Sequence, residues 1–370
     1  MRTSISEMVG SEYPLIAFSH CRDVIAAVTK AGGFGVLGAS RYTPETLEAE
    51  LDWLDKETGD KGYGLDFLLP KTFDHDAGGV ASLPAEHVAF VDRLMEKYDV
   101  PPLSPVHQEE VRSEQEKRER MITNAREMWD LAEGRPVRMY ASALGAPPAE
   151  FVEGAHERGA VIGGLAGSVK HAERQRAAGV DYIVAQGSEA GGHCGEISTM
   201  VLIPDVVDVA GDIPVVAAGG IASGRQMAAA MALGAAGVWT GSVWLTTQEA
   251  ETHPVVRERM LAATASDAVR SRASTGKFAR QLSSAWTDEW ADPANPDPLG
   301  MPHHFQLIAE AKARIDHSAH LSDGARQLAN YYVGQVVGRM NSVTTVRKVV
   351  EEMVEEYIDT FERLQAINEG

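Results

Sequence analysis

Tyr182-Ile183-Val184-Ala185-Gln186-Gly187-Ser188-Glu189-Ala190-Gly191-Gly192-His193-Cys194-Gly195 runs from a short apolar stretch into a loop holding four glycines, one imidazole and one carboxylate. A helix-like run starts near Thr199. Strand, loop, helix is the unit of a parallel α/β fold, and a loop at the C-terminal end of a barrel strand is where such a barrel keeps its chemistry. Glycine lets the backbone approach a flat ligand closely and reach positive φ. His193 is the side chain in this loop that can exchange a proton near neutral pH. The plainer alternative is a flexible glycine turn with a solvated histidine.

Working outward, the same unit recurs. Strand candidates lie near Leu15–Phe18, Phe34–Leu37, Tyr63–Leu69, Val137–Ser142, Val161–Gly163, Tyr182–Ala185, Pro214–Ala217 and Gly237–Thr240. Helix candidates between them include Asp23–Ala31, Pro44–Glu57, Pro148–Arg158, Val169–Ala178, Met200–Ala210 and Arg225–Leu233. Several end in a glycine before the next strand, as in Ala31-Gly32-Gly33, Arg158-Gly159 and Ala178-Gly179, which is C-cap chemistry. Eight such units over about 250 residues match a (β/α)8 TIM barrel, with an open doubly wound sheet as the alternative.

Two segments break the repeat. Residues 71–135 read as a helical insertion after strand 3, with Gly78-Gly79, Pro101-Pro102 and a charged run from His107 to Arg120 that reads as an exposed helix. Residues 251–370 read as an additional helical C-terminal region on the substrate side, holding a proline-rich tract from Asp292 to Pro302 and a break at Gly334–Gly338. The barrel itself is assigned to 1–70 and 136–250. His303-His304 has no carboxylate or cysteine at ligand spacing, so no metal site is read there.

The chain has 370 residues, 44% of them hydrophobic, and a formal net charge of −19. Nucleic acid and anionic membrane are disfavoured as partners, since both would be repelled. The two cysteines, Cys21 and Cys194, show no paired spacing, which points to the cytoplasm by default. Gln226–Gln248 carries no charge and is long enough to span a bilayer, but its glycines and change of character near Ala235 fit a buried helix followed by a buried strand.

A second signal follows on the last two strands. Pro214-Val215-Val216-Ala217-Ala218-Gly219-Gly220-Ile221 is a strand, a glycine pair and a helix start, and Trp239-Thr240-Gly241-Ser242 repeats the arrangement. Exposed backbone N–H groups at a helix N-terminus suit an anion. Loops after strands seven and eight of a TIM barrel commonly form a phosphate site, for a substrate or a cofactor alike.

Together these stretches resemble the nitronate monooxygenase (2-nitropropane dioxygenase-like) family. Its flavin loop has the form Gln-Gly-x-Glu-Ala-Gly-Gly-His-x-Gly, and residues 186–195 match every fixed position. Ala31–Gly38, Ala217–Ile221, Thr240–Ser242, Thr275–Arg280 and Val333–Gly338 also match in character. The resemblance implies a barrel that holds FMN and oxidises alkyl nitronates with O2 to a carbonyl compound and nitrite. It implies that Gly219, Gly220, Thr240, Gly241 and Ser242 hold the FMN phosphate. Gln186 and Gly191, with Gly192 beside them, would line the ribityl chain and ring. Ala17 and Phe18 would back the isoalloxazine, Trp239 would lie near it or in the core, and His193 would face the substrate as acid or base. A small-molecule substrate, O2 and a possible homodimer complete the implied partners.

Three positions depart from that pattern. Phe18-Ser19-His20-Cys21 replaces the usual Pro-Met after strand one, making His20 and Cys21 candidates in the pocket. Asp66 stands where many members have Asn; since a carboxylate opposes reduced flavin, Asp66 is expected to be protonated, paired or turned toward the phosphate side. Gly163–Ser168 lacks the lysine many members carry. The flavin loop does not separate nitronate oxidation from a second reading, an FMN-dependent enoyl-thioester reductase using NADH or NADPH. A third reading is a barrel that binds a phosphorylated ligand without catalysis. Glu189 is read as a cap within the loop, and Cys194 as packing.

Overall fold

The computed structural model describes residues 1–69, 83–109, 111–113 and 125–369. Within them lie β1 (Leu15–Ser19), β2 (Phe34–Gly38), β3 (Tyr63–Phe67), β4 (Val137–Ser142), β5 (Val161–Ala166), β6 (Tyr182–Gln186), β7 (Gly192–His193), β8 (Val215–Ala218), β9 (Gly237–Thr240), β10 (Ala268–Ser271) and β11 (Ala279–Leu282). The order β1-β2-β3-β4-β5-β6-β8-β9 closes into a barrel of parallel strands, with β9 paired back to β1 through Ala17↔Thr240. This is the TIM barrel expected from the strand spacing, and closure excludes the open sheet. The third strand ends at Phe67 rather than Leu69.

Alternation along the strands divides the barrel into two layers. Ile16, Phe34, Val36, Met139, Tyr182 and Trp239 fill the interior, and Ile5 and Val9 of the N-terminal helix join the same cluster. Leu15, Ala17, Ala185, Ala217 and Val238 face outward against the helices. Gly35 and Gly224 allow close packing, of β2 on the helix Arg22–Lys30 and of the helix Gly224–Ala232 on the terminal helix. A Cβ on Gly35 would lie 2.6 Å from the Ile25 carbonyl oxygen, and one on Gly224 would collide with the backbone at Met353 and Tyr357.

That last contact belongs to the terminal helix, Val346–Glu369, whose Val346, Val349, Val350 and Met353 are part of the barrel's outer layer. The preceding C-terminal residues do something else. Val256, Met260, Trp286, Ile308 and Val337 share a separate core with Phe90 and Leu94 of the helix Ala85–Lys97. The helix Ala85–Lys97 of the insertion and the 254–340 region therefore form one cap, while Met128 and Trp129 at the insertion's end pack on the barrel side with Tyr140 and Phe151. Of the charged helix expected at 107–120, residues 107–109 and 111–113 are helical. Its remainder and Gly78-Gly79 lie outside the described residues.

One expectation needs correction. Residues 251–325 read as helices and loops, but β10 and β11 form an antiparallel hairpin, Ala268↔Leu282 to Ser271↔Ala279. β11 then pairs with β7, setting Ala279 opposite His193 and Arg280 opposite Gly192. The four-residue strands are too short for a period to register. Two buried positions of β11 are polar, Arg280 and Gln281, so the segment looks like a loop until its partner is in place.

Candidate active site

The mouth of the barrel is built by inward-facing residues at the C-terminal strand ends. Phe18 and Trp239 stack there, ring centroids 6.3 Å apart and planes 24° from parallel. His20 meets Phe18 edge-on at 5.2 Å, and its Nδ1 lies 2.9 Å from the Gly38 carbonyl, to which it donates. Burial lowers the His20 pKa. Asp66 points into the barrel, is 5% exposed and has no hydrogen-bond partner among the described residues. Loss of hydration alone pushes its pKa up to about 8, so the carboxyl is neutral at pH 7. Of the three options open from sequence, that upward shift favours the protonated one.

The glycines of β8 and β9 take two roles. Gly219 and Gly220 adopt φ of 95° and 71°, which glycine alone adopts freely. A Cβ on Gly219 would lie 2.9 Å from the Gly187 carbonyl oxygen, and one on Gly220 would lie 3.1 Å from Glu189. Gly241, in contrast, faces space beside Phe18, with nothing nearer than 3.9 Å to an added Cβ. Among the described residues, the backbone N–H groups of Gly220, Gly241 and Ser242 have no acceptor.

The side chains beside them are already committed. The Thr240 hydroxyl donates to the Ile16 carbonyl at 3.0 Å and accepts from Trp244 Nε1 at 3.1 Å. Ser242 Oγ accepts from the Gly334 N–H at 2.8 Å. An anion here would meet backbone N–H groups rather than these hydroxyls. Ala17 is buried in the outer layer, so its side chain faces the helices rather than the mouth. Gln186 lies half-buried at the end of β6.

The β6–β7 loop is pinned from three sides. Glu189 accepts from the Thr199 N–H at 2.9 Å and from its hydroxyl at 2.7 Å, capping the helix Thr199–Ala210 with a negative charge at its positive end. Arg280 Nε donates to the Ser188 carbonyl at 2.8 Å. Gly191 packs so closely on the chain at Val333 and Gly334 that a Cβ would lie 2.8 Å from the Gly334 nitrogen, and the Gln335 N–H donates to the Glu189 carbonyl at 3.0 Å. Gly192 lies on β7 opposite Arg280, at φ 77°.

This scaffold delivers His193 to the underside of the cap. Its Nε2 lies 2.9 Å from Thr275 Oγ1, and its ring centroid is 6.5 Å from that of Tyr332. The residue as a whole is exposed, with the cap turn in contact through Nε2. Loss of hydration, with the Lys277 ammonium second, lowers its pKa. At neutral pH the imidazole is therefore mainly the neutral base. Cys194 is half-buried with Sγ 3.5 Å from the Ser188 carbonyl, and burial raises its thiol pKa, as it does for Cys21. A thiol held protonated is a poor nucleophile.

Sequence reasoning assigned no individual role to Thr275, Lys277, Arg280 or Gly334. Their one signal was membership of the motifs Thr275–Arg280 and Val333–Gly338, which carried no role until the hairpin placed them against the loop. A cavity of about 540 Å³ opens nearby between Glu189, Gly219, Gly220, Gln335 and the helices Thr199–Ala210 and Gly224–Ala232. It adjoins the glycine pair but does not include His193, Phe18 or Trp239. No helix among the described residues is long and apolar enough to cross a membrane.

Comparison with known proteins supplies the family. Residues 17–356 match the family described as nitronate monooxygenase. The chain is 51% identical over 376 residues to Rv1533 of Mycobacterium tuberculosis (strain ATCC 25618 / H37Rv), named as a monooxygenase, covering 99% of each. It is 29% identical to a Staphylococcus aureus (strain N315) protein named as a nitronate monooxygenase, covering 78% of this chain and 80% of that one. Among solved structures, FabK from Thermotoga maritima superposes with a TM-score of 0.73 at 25% identity, covering 99% of each chain. A nitroalkane oxidase from Streptomyces ansochromogenes shares the fold, with a TM-score of 0.78 at 24% identity over 97% of this chain and 99% of that one.

Proposed function

This chain belongs to the nitronate monooxygenase family of oxidoreductases, and from that membership we propose that it oxidises alkyl nitronates with O2, giving a carbonyl compound and nitrite, with FMN as cofactor. The observation that carries the reading is a mainly neutral imidazole held under the cap, above a barrel mouth with an aromatic floor and unpartnered N–H groups.

The residues present fit FMN. Half-buried Phe18, backed by the buried Trp239, offers an apolar ring beside the space at Gly241. Gly220, Gly241 and Ser242 offer backbone donors for a phosphate, and Gly241 leaves room beside Phe18. The protonated Asp66 carboxyl offers one hydrogen-bond donor in the barrel, where a carboxylate would oppose a gain of negative charge. Bound FMN would supply the electron transfer and oxygen chemistry that no side chain here provides.

The chain's own part is acid–base and electrostatic. His193, neutral, takes the proton from the carbon next to a nitro group, the step that makes the nitronate. Lys277 and Arg270 stand on the same cap hairpin, near His193 and Glu196 respectively. They give an anionic substrate a local cationic surface on a chain that is otherwise strongly acidic.

The test is an anaerobic visible spectrum of the FMN-loaded protein mixed with propionate 3-nitronate. Bleaching of the flavin band, reversed by air with release of nitrite, is the expected result. An unchanged spectrum with the nitronate, together with rapid bleaching by NADH or NADPH, would instead assign an enoyl-thioester reductase.

A further inference from the structure

The turn that touches His193 is one of the most tightly held pieces of the cap. The Ala273 carbonyl accepts from Trp286 Nε1 at 2.9 Å and from His304 Nε2 at 3.0 Å. Ser274 Oγ lies 2.6 Å from Gln281 Oε1, and Arg272 Nε donates to the Gly276 carbonyl at 2.9 Å. Gly276 closes the turn at φ 76°. Thr275 between them is 1% exposed, so its hydroxyl has no bulk water to turn to.

That hydroxyl makes three contacts. The Lys277 carbonyl oxygen lies at 3.1 Å and can only accept. The Lys277 N–H lies at 3.2 Å and can only donate. His193 Nε2 lies at 2.9 Å and can do either. A hydroxyl has one hydrogen to give and two lone pairs. If the hydrogen goes to the Lys277 carbonyl, both lone pairs accept and every contact is satisfied, provided that Nε2 carries a proton. If the hydrogen goes to Nε2, the 3.1 Å contact with the Lys277 carbonyl has no hydrogen in it and sets two oxygen lone pairs against each other. The first arrangement wins.

We propose that Thr275 is a positioning residue that holds His193 as its Nε2–H tautomer, leaving Nδ1 as the nitrogen that takes the substrate proton. The second half rests on the proposed function; the first does not. An imidazole free to exchange tautomers would present the lone pair at Nδ1 only part of the time, and a base acts only in the form whose lone pair faces the proton.

The experiment reads tautomer and turnover separately. Histidine-selective 15N labelling and NMR of the full chain report which ring nitrogen carries the proton, with His193 assigned by the signal lost in His193→Gln. The expected result is protonated Nε2 and bare Nδ1 in the native protein and in Thr275→Ser, and a mixture in Thr275→Val. On the FMN-loaded enzyme, Thr275→Val should lower kcat on a nitroalkane roughly tenfold, with KM moved less than about twofold, and Thr275→Ser should recover most of the loss. A native Nδ1–H tautomer overturns the proposal, and so does a Thr275→Val protein unchanged in both tautomer and kcat. An Nε2–H tautomer in a protein that turns over no nitro compound keeps the positioning role and overturns the substrate assignment.

Discussion

The barrel mouth and the single cap turn that touches His193 treat polar groups in opposite ways. At the mouth, the Asp66 carboxyl and the N–H groups of Gly220, Gly241 and Ser242 have no partner among the described residues. In the cap turn, the Thr275 hydroxyl has a partner on every side. Folded proteins pair nearly all their buried polar groups, so the buried, unpaired Asp66 is a point where a ligand can complete the set, while the half-buried N–H groups stay open to solvent or ligand. A cluster fully paired marks where the protein fixes one of its own groups. The mouth is built to receive, the cap to aim.

The largest effect should come from the group that is aimed. His193→Ala removes the base but none of the mouth's donors. Loss of activity on nitroalkanes by about 10²- to 10⁴-fold is expected, with flavin content unchanged. Nitrite release and flavin absorbance measured on the same preparation check both. A variant that loses its flavin would show that His193 belongs to the receiving set, and the contrast would fail.

Next comes the frame beneath the mouth. Gly219→Ala places a Cβ 2.9 Å from the Gly187 carbonyl oxygen at a φ of 95°. A destabilisation of about 1–3 kcal/mol is expected from the backbone conformation and the clash together. Thermal unfolding reads it, and flavin affinity should fall with it. Gly241→Ala, with room for the Cβ, should leave stability nearly unchanged and act on flavin binding alone.

Asp66 sharpens the comparison through pH. Its folded pKa, about 8, lies above its unfolded value, so the native state holds the proton more tightly. Its contribution to stability is full below the unfolded pKa, near 4, and is lost as pH rises through about 8. Asp66→Asn removes that dependence. The variant should match the parent near pH 4 and unfold at a higher temperature near pH 9. Equal melting temperatures for both proteins at pH 9 would mean that Asp66 has a partner after all.

The same contrast explains what the sequence disclosed. The eight barrel strands were legible because each is an apolar run such as Ile183-Val184-Ala185, bounded by glycine or a helix start. Gly219 and Gly220 were legible because the positive φ of a strand-to-helix turn favours glycine. The cap hairpin was not. Ala279-Arg280-Gln281-Leu282 becomes a strand through pairing with β10 on one side and with a loop nearly ninety positions away on the other, and its two polar residues are buried where Ser188, Ser274 and Asn330 meet them. Nor could the sequence show that Thr240 and Ser242 spend their hydroxyls on Ile16 and Gly334, a fact of tertiary neighbours rather than of residue type.

The smallest effect is expected next to the largest. Cys194 follows His193 in the chain, just past the end of β7, and has separate partners. Its Sγ rests against the Ser188 carbonyl at 3.5 Å, and burial keeps the thiol protonated. Serine at this position replaces the weak S–H donor with a hydroxyl of similar size, able to reach the same carbonyl. Cys194→Ser should therefore change stability by no more than about 0.5 kcal/mol and nitronate turnover by less than about twofold. Thermal unfolding and nitrite release measure the two quantities. A large loss of turnover with stability intact would mean that the thiol shares in the chemistry and that the aimed set extends beyond a single imidazole.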